Sequence, residues 1–373
     1  MSLRIGLLTP PIQKASVIPL SSFINIFSQF SDVYLFCGEN SRDSIEKCDN
    51  VHLHPTYIKA NIEHKALLKI IWFLYIQITY GVYVLKSISR IDVWLFVIGG
   101  DRMVLPMMIA RLFKKPVILS LSGSAVLDAQ LSNDPFLKPA KALSKFTNVL
   151  SNYIILYSPN LITFWQLGKY RDKILIAHRH FLDFETFTVT TPLPDRPPLI
   201  GYIGRLSGEK GVQHFAQALP AILSDRQDLR VLIGGDGQLK EAIEASLQEQ
   251  GVSTRVDLPG WISHDDLPEY LNQLRLLVLP SYTEGLPNIM LEAMACGTPV
   301  LATPVGAIPD VIIDGKTGFI MENNSPECIA ENVVRALNSP DLERIAEEGR
   351  RFVEENFTFE RVVERWKEVL EGL

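Results

Sequence analysis

Two carboxylates, Glu284 and Glu292, stand with seven residues between them in the run LLVLPSYTEGLPNIMLEAMACGTPVLATPV, residues 276–305. An apolar strand leads into a Gly/Pro loop that carries Glu284, and the pattern predicts a helix from about Pro287 to Gly297, with Glu292 on it. Glu284 stays in the loop, while Glu292 lies roughly 7.5 Å along the helix axis. One acid at a helix mouth and another a turn and a half inside can grip two hydroxyl-bearing parts of one elongated ligand. The free N–H groups and positive dipole end of the same helix suit a phosphate between them.

Upstream, residues 204–211 read GRLSGEKG directly after an apolar strand, so Arg205 and Lys210 project from a Gly-rich loop. Arg offers a planar fork of donors and Lys a mobile point charge, both suited to a diphosphate. Taken alone, the loop reads equally as a solvated turn with two surface cations. Two further signals follow in order: Gly234-Gly235-Asp236-Gly237, then Leu258-Pro259-Gly260-Trp261.

Together these four motifs resemble retaining glycosyltransferases of the GT-B fold, the group called glycosyltransferase family 4 (group 1). The acids match its E-x7-E region and residues 204–211 its phosphate-gripping loop. The Gly234–Gly237 turn matches its G-G-x-G, and the segment at Trp261 matches the one that lies against the nucleotide base. The resemblance implies a donor site in the C-terminal half. There Arg205 and Lys210 meet the charge of the leaving diphosphate, and Glu292 binds the ribose hydroxyls. Glu284, with the backbone of Gly285, Leu286, Pro287 and Asn288, holds the hexose and stabilises positive charge on it. Gly204, Gly235, Gly237, Pro259, Gly260 and Trp261 complete the donor contacts. Arg205, Lys210 and Glu284 are the expected catalytic set.

The N-terminal half departs from the family. Paired glycines after the first strand are replaced by Thr9-Pro10-Pro11, a His by Ser122-Gly123-Ser124, and N-G-V-D by His180-Phe181-Leu182-Asp183. Candidates at strand ends there are Gly99, Gly100, Asp101, Arg102, Ser122, Gly123 and His178, the last reading equally as a structural histidine. A nicotinamide reading of Gly235-Asp236-Gly237 is weakened because Lys240 stands where the third glycine belongs. Ser263-His264-Asp265-Asp266 reads as a capping box before a helix at 267–274 rather than a metal site. The chain contains no D-x-D, so no metal is expected. No cofactor is expected beyond a nucleotide-diphosphate sugar as co-substrate.

Elements must place these residues. Apolar runs at 5–8, 33–36, 93–98, 117–121, 153–156 and 174–177 are strand candidates of the first half. Those of the second are 199–203, 230–233, 256–258, 276–279, 300–302 and 318–320. Strands apolar throughout and alternating with helical stretches indicate parallel sheets covered on both faces. The expected class is α/β, with two Rossmann-like domains facing a central cleft. Residues 1–187 form an N-terminal acceptor-binding domain, the proline-rich stretch 188–198 a linker about which the domains close, and 199–357 a nucleotide-sugar-binding domain. In the tail, 358–373, the residues Phe359, Val362, Val363, Trp366, Val369 and Leu370 make one apolar stripe, able to cross back to the first domain or pack on its own.

A length of 373 residues suits two domains, and 47% hydrophobic with 21% charged residues is a globular composition. Charge is divided unevenly: residues 1–200 carry 21 basic and 14 acidic side chains, the remainder 15 and 28. The basic half is expected nearer an anionic surface. Cys37, Cys48, Cys296 and Cys328 follow no zinc or redox spacing. The N-terminus reads as a first strand rather than a secretory signal. The uncharged run 70–85 within 66–86 is a buried helix, a helix lying at a membrane interface with Trp72, Tyr75, Tyr80 and Tyr83 at headgroup level, or a span.

The expectation is a hexosyltransferase of cell-envelope or polysaccharide synthesis, cytoplasmic or peripheral on the inner membrane face. Its acceptor is a glycan, lipid-linked sugar or glycolipid, and it has no nucleic-acid partner. The alternatives are a non-catalytic nucleotide-sugar-binding subunit and a phosphorylase-type enzyme on the same fold.

Overall fold

The computed structural model describes residues 3–12, 16–39, 49–56, 58, 66–123, 126 and 136–373; Cys48 and Ser124 lie outside them. The chain divides into two compact units, Met1–His180 with Val362–Leu373, and Phe181–Arg361.

The first unit is a seven-stranded parallel sheet in the order β3-β2-β1-β4-β5-β6-β7. Its strands are β1 (Leu3–Leu8), β2 (Ser31–Cys37), β3 (Val51–Pro55), β4 (Val93–Phe96), β5 (Val117–Ser120), β6 (Tyr153–Leu156) and β7 (Ile174–Ile176). The central strands β4 (VWLF) and β5 (VILS) are buried throughout and apolar but for Ser120, as a sheet covered on both faces demands. β3 (VHLHP) was not foreseen. It is an edge strand pairing only β2, and its His54 stacks on Tyr34 and Phe36 while His52 lies tilted against Tyr34, so polar residues occupy places that a central strand gives to Val or Ile.

The helix Ala66–Ser87 is buried along one side only. Ile76, Tyr80 and Val84 face the sheet, and Gln77 donates through Nε2 to the Arg102 carbonyl at 2.9 Å while its Oε1 accepts from the Leu105 N–H at 3.0 Å. Tyr80 is therefore no headgroup anchor: its hydroxyl lies 3.3 Å from the Thr56 hydroxyl, on the inward side. The opposite side is apolar and exposed.

The last helix, Phe359–Glu371, places Val362, Val363, Trp366, Val369 and Leu370 inward. Trp366 is fully buried, its ring edge-on to Phe23 and Phe27 at 5.9 and 4.9 Å, with its indole N–H donating to the His178 carbonyl at 2.9 Å.

The second unit is a six-stranded parallel sheet in the order β10-β9-β8-β11-β12-β13. These are β8 (Leu199–Ile203), β9 (Arg230–Gly234), β10 (Val256–Gly260), β11 (Leu276–Leu279), β12 (Val300–Ala302) and β13 (Phe319–Ile320). β8 begins the unit's sheet and is flanked by β9 on one side and β11 on the other. The order reverses between β8 and β11, the chain passing from β8 to β9 on one side and from β11 to β12 on the other. Such a switch point is where open parallel sheets bind ligands.

The proline-rich 188–198 segment lies within this second unit and is fastened to it. Arg196 is buried, donating to the carbonyls of Thr191, Leu274 and Cys296 and to the Thr298 hydroxyl at 2.6–2.9 Å. Asn272 accepts from the Thr190 N–H at 2.8 Å.

Candidate active site

The loop after β8 carries Arg205 and Lys210; the loop after β11 carries Glu284. Lys210 Nζ donates to Glu284 Oε1 at 2.7 Å, and the Ser281 hydroxyl donates to the same oxygen at 2.7 Å. The Glu284 side chain is only 9% exposed, so its charge is held by two donors rather than by water. Arg205 is 68% exposed and touches Glu209 loosely, at 3.4 Å. Its fork is open to a ligand, while the Ser207 hydroxyl holds Glu209 at 2.7 Å.

Backbone geometry fixes both loops. Gly211 has φ +67°, and a Cβ there would sit 2.0 Å from the Pro280 carbonyl oxygen. The β8 loop can thus lie directly on the β11 loop only with glycine at this position. Tyr282 N–H donates to the Glu209 carbonyl at 2.9 Å, and the Asn324 amide donates to the Pro280 carbonyl at 3.0 Å. The same logic holds at Gly235, φ +135°, where a Cβ would meet the Gly204 carbonyl oxygen at 1.8 Å. The Gly234–Gly237 turn therefore lies against Gly204, and Leu206 N–H donates to the Asp236 carbonyl at 2.9 Å. Beneath them the Tyr202 hydroxyl donates to the Arg205 carbonyl at 2.7 Å; burial and then the charges of Glu284 and Glu209 push that phenol upward. It stays a neutral donor.

The helix predicted from about Pro287 runs Asn288–Ala295, with Pro287 at its N-cap. Leu286 and Pro287 are buried and Asn288 is exposed at the helix mouth; the Gly285 carbonyl accepts from Ala307 N–H at 2.8 Å. Glu292, one turn in, is 7% exposed and has its own partner, His264, whose Nε2 lies 3.3 Å from Glu292 Oε1. That hydrogen bond, and then the charges of Glu292 and Asp265, raise the His264 imidazole above its usual value despite burial. His264 escaped the sequence reading because it sits in the turn assigned to capping. The Ser263 hydroxyl does accept from Asp266 N–H at 3.2 Å, but this closes the turn before the helix Leu267–Gln273, whose N-cap is Asp266 with no side-chain capping bond. Ser281 was missed too; a serine three residues before Glu284 carries no signal of its own.

The remaining residues fall at the same carboxyl end. Gly260 closes β10, its carbonyl accepting from Gly235 N–H at 2.7 Å. Pro259 is exposed, and the Trp261 indole, 79% exposed, packs on nothing in this unit's core. Gly237 N–H is taken by the Asp236 carboxylate at 2.8 Å.

In the first unit, Gly100, Asp101 and Arg102 form one short turn after β4, its carbonyls bound by Thr147 and Gln77. Ser122 and Gly123 follow β5, with open space around Gly123. His178 Nδ1 lies 3.1 Å from the His180 carbonyl, and burial pushes its imidazole down to about 4. Nearby, Ser120 Oγ, Tyr157 Oη, Ser158 Oγ and His180 Nδ1 are buried without a hydrogen-bond partner among the described residues. The described residues contain no cluster of three or more His, Cys, Asp or Glu able to hold a metal ion.

Residues 183–352 match the family of glycosyl transferases, group 1. The matched region contains every residue of the site built above in the second unit. Among curated relatives, an alpha-D-kanosaminyltransferase from Streptomyces kanamyceticus is 34% identical over 156 residues, covering 42% of this chain and 40% of the relative. The chain spans between 37% and 47% of the length of three such curated relatives. Solved structures match from end to end. Sucrose-phosphate synthase from Thermosynechococcus elongatus superimposes with a TM-score of 0.76 at 16% identity, over 99% of this chain and 98% of that one. HepE from Anabaena, solved with UDP, gives 0.75 at 16% identity over 100% of both chains. The fold is α/β, two Rossmann-like parallel sheets of the glycosyltransferase GT-B type.

Proposed function

We propose that the chain is a retaining, metal-independent glycosyltransferase of the family 4 type. It moves a hexosyl group from a nucleotide-diphosphate sugar to a lipid-linked or glycolipid acceptor at the cytoplasmic face of a membrane. The observation that carries this reading is the Lys210–Glu284 contact at the β8/β11 switch point, with Arg205 open beside it. The diphosphate gains charge as its bond to the sugar breaks. Fixed donors placed where that charge develops are worth far more than donors that must reorganise. Lys210 and Arg205 are such donors. Glu284, held off solvent by two hydrogen bonds, faces the positive charge left on the sugar. The acceptor oxygen bonds to the anomeric carbon on the face from which the diphosphate departs, and the acceptor proton passes to the departing phosphate. Glu292 and Trp261 serve the ribose and the base. A relative of this fold was solved with UDP, which supports a uridine donor. The first unit holds the acceptor.

Calorimetry against a panel of nucleotide sugars tests the donor site: one diphosphate sugar binds tightly and its sugar-free diphosphate competes. Glu284→Gln lowers kcat about 10²–10³-fold with little change in donor KM. A rise in KM alone, with turnover intact, overturns the charge-stabilising role. Slow hydrolysis of the donor without acceptor separates an enzyme from a non-catalytic binding subunit.

A further inference from the structure

The helices Ala66–Ser87, Val104–Leu112 and Leu137–Leu150 lie side by side on the first unit's sheet. The first two cross closely: a Cβ at Gly81 would stand 3.0 Å from Ile109 and 3.4 Å from Leu105. Their outward faces are strongly apolar. On the first helix Ile71, Leu74, Ile78, Val82 and Leu85 are each between 43% and 58% exposed. At helical pitch these positions fall within an arc of about 80°, opposite Ile76, Tyr80 and Val84, and form a stripe roughly 21 Å long. The second helix adds Leu112, followed by Phe113, and the third adds Phe146 and Val149. Single exposed apolar residues need no explanation, but a patch built from three adjacent helices does.

The charge carried by these three helices has one sign. None of the three helices contains an Asp or a Glu. Lys69 and Lys86 bracket the apolar stripe, Arg111 and Lys114 flank Leu112 and Phe113, and Lys138, Lys141 and Lys145 repeat along the third helix. Residues 66–150 hold 10 basic and 4 acidic side chains in a chain whose net charge is −6. An apolar stripe rimmed by cations complements an anionic bilayer surface, where acyl chains take the stripe and headgroups take the lysines. A second copy of the chain would bring these cations against each other.

We propose that this three-helix face seats the protein on anionic lipid, lying in the interface without crossing it. Among the described residues the first helix is long and apolar enough to span a bilayer. Its inward side, however, is held by the Gln77 hydrogen bonds and by buried Tyr80, which withdrawal from the sheet would break. The inference deepens the membrane-face part of the proposed function and rests on that part alone.

Flotation of the full chain with phosphatidylcholine vesicles, with and without phosphatidylglycerol, tests it in the absence of nucleotide sugar. The protein floats with anionic vesicles at low salt, and raising the salt weakens binding. Lys138→Glu with Lys141→Glu and Lys145→Glu lowers the partition coefficient at least ~100-fold, at about fivefold per lysine. Ile71→Ser with Ile78→Ser does the same at all salt concentrations. Both variants keep the wild-type melting temperature and donor hydrolysis, which shows that they fold. No flotation at low salt overturns the proposal, as does binding indifferent to lipid charge. A wild-type dimer that the serine variant dissolves, without vesicle binding, overturns it in favour of self-association. Vesicle binding can fail while donor binding and transfer persist, so the two readings stand or fall separately.

Discussion

Of the two carboxylates, each is buried and each is held by a different kind of partner. Glu284 is held by a lysine and a hydroxyl. Glu292 is held by a histidine that is itself 68% exposed, which makes its environment titratable. The direction follows from the hydrogen bond: it favours the imidazolium, so the folded-state value of His264 lies above 6.5. The charged pair is complete below 6.5 and is lost as the pH rises through the raised folded-state value. A ribose in the place proposed for it would therefore meet Glu292 paired with an imidazolium in acid and freed of that charge in mild alkali. NMR titration of the His264 ring shows a midpoint above 6.5 that returns toward it in Glu292→Gln. Donor affinity improves across the same interval in the wild type and is flat in His264→Ala. An unshifted midpoint would show that the 3.3 Å contact is not made in solution.

Elements place these side chains through glycines more than through side-chain packing. Gly235 combines a left-handed φ with a Cβ position 1.8 Å from the Gly204 carbonyl oxygen, so alanine there must push apart the β8 and β9 loops. Gly235→Ala is expected to lower the unfolding free energy by about 3 kcal/mol or more, measured as a urea midpoint. At denaturant-free conditions it also weakens diphosphate binding at least tenfold, because Arg205 rides on the displaced loop. Much of this was legible beforehand. Apolar runs such as LIGYI and LLVL read as central parallel strands, and E-x7-E bounded the helix Asn288–Ala295 closely, because glycine and proline punctuate both. What stayed hidden has physical causes. β3 alternates valine and leucine with histidines over only five residues, so no apolar run marks it and its alternation is too short to stand out. The inward placement of Tyr80 depends on helix phase, which a nearly all-apolar stretch does not reveal. His264 reaches Glu292 across 28 residues of chain, a contact that only the fold creates.

At the scale of the whole molecule, the chain leaves the first unit after His180 and returns to it at Val362. The return is anchored by Trp366, fully buried between Phe23 and Phe27 and donating to the His178 carbonyl 188 residues away. A buried indole edge-on to two rings gains more than its area alone would give, and its N–H would be orphaned by any shift. Trp366→Ala thus removes the packing together with the hydrogen bond to the His178 carbonyl, at about 3–5 kcal/mol. Trp366→Phe keeps most of the packing and loses the hydrogen bond, at about 1–2 kcal/mol. The loss falls on the first unit. Calorimetry of each variant, with and without the nucleoside diphosphate proposed as the second unit's ligand, separates the two. The transition that ligand does not raise moves down in Trp366→Ala, and the ligand-raised transition stays in place. If both shift together by the same amount, the tail is part of one cooperative block, and the return of the chain to the first unit does more than close that unit's core.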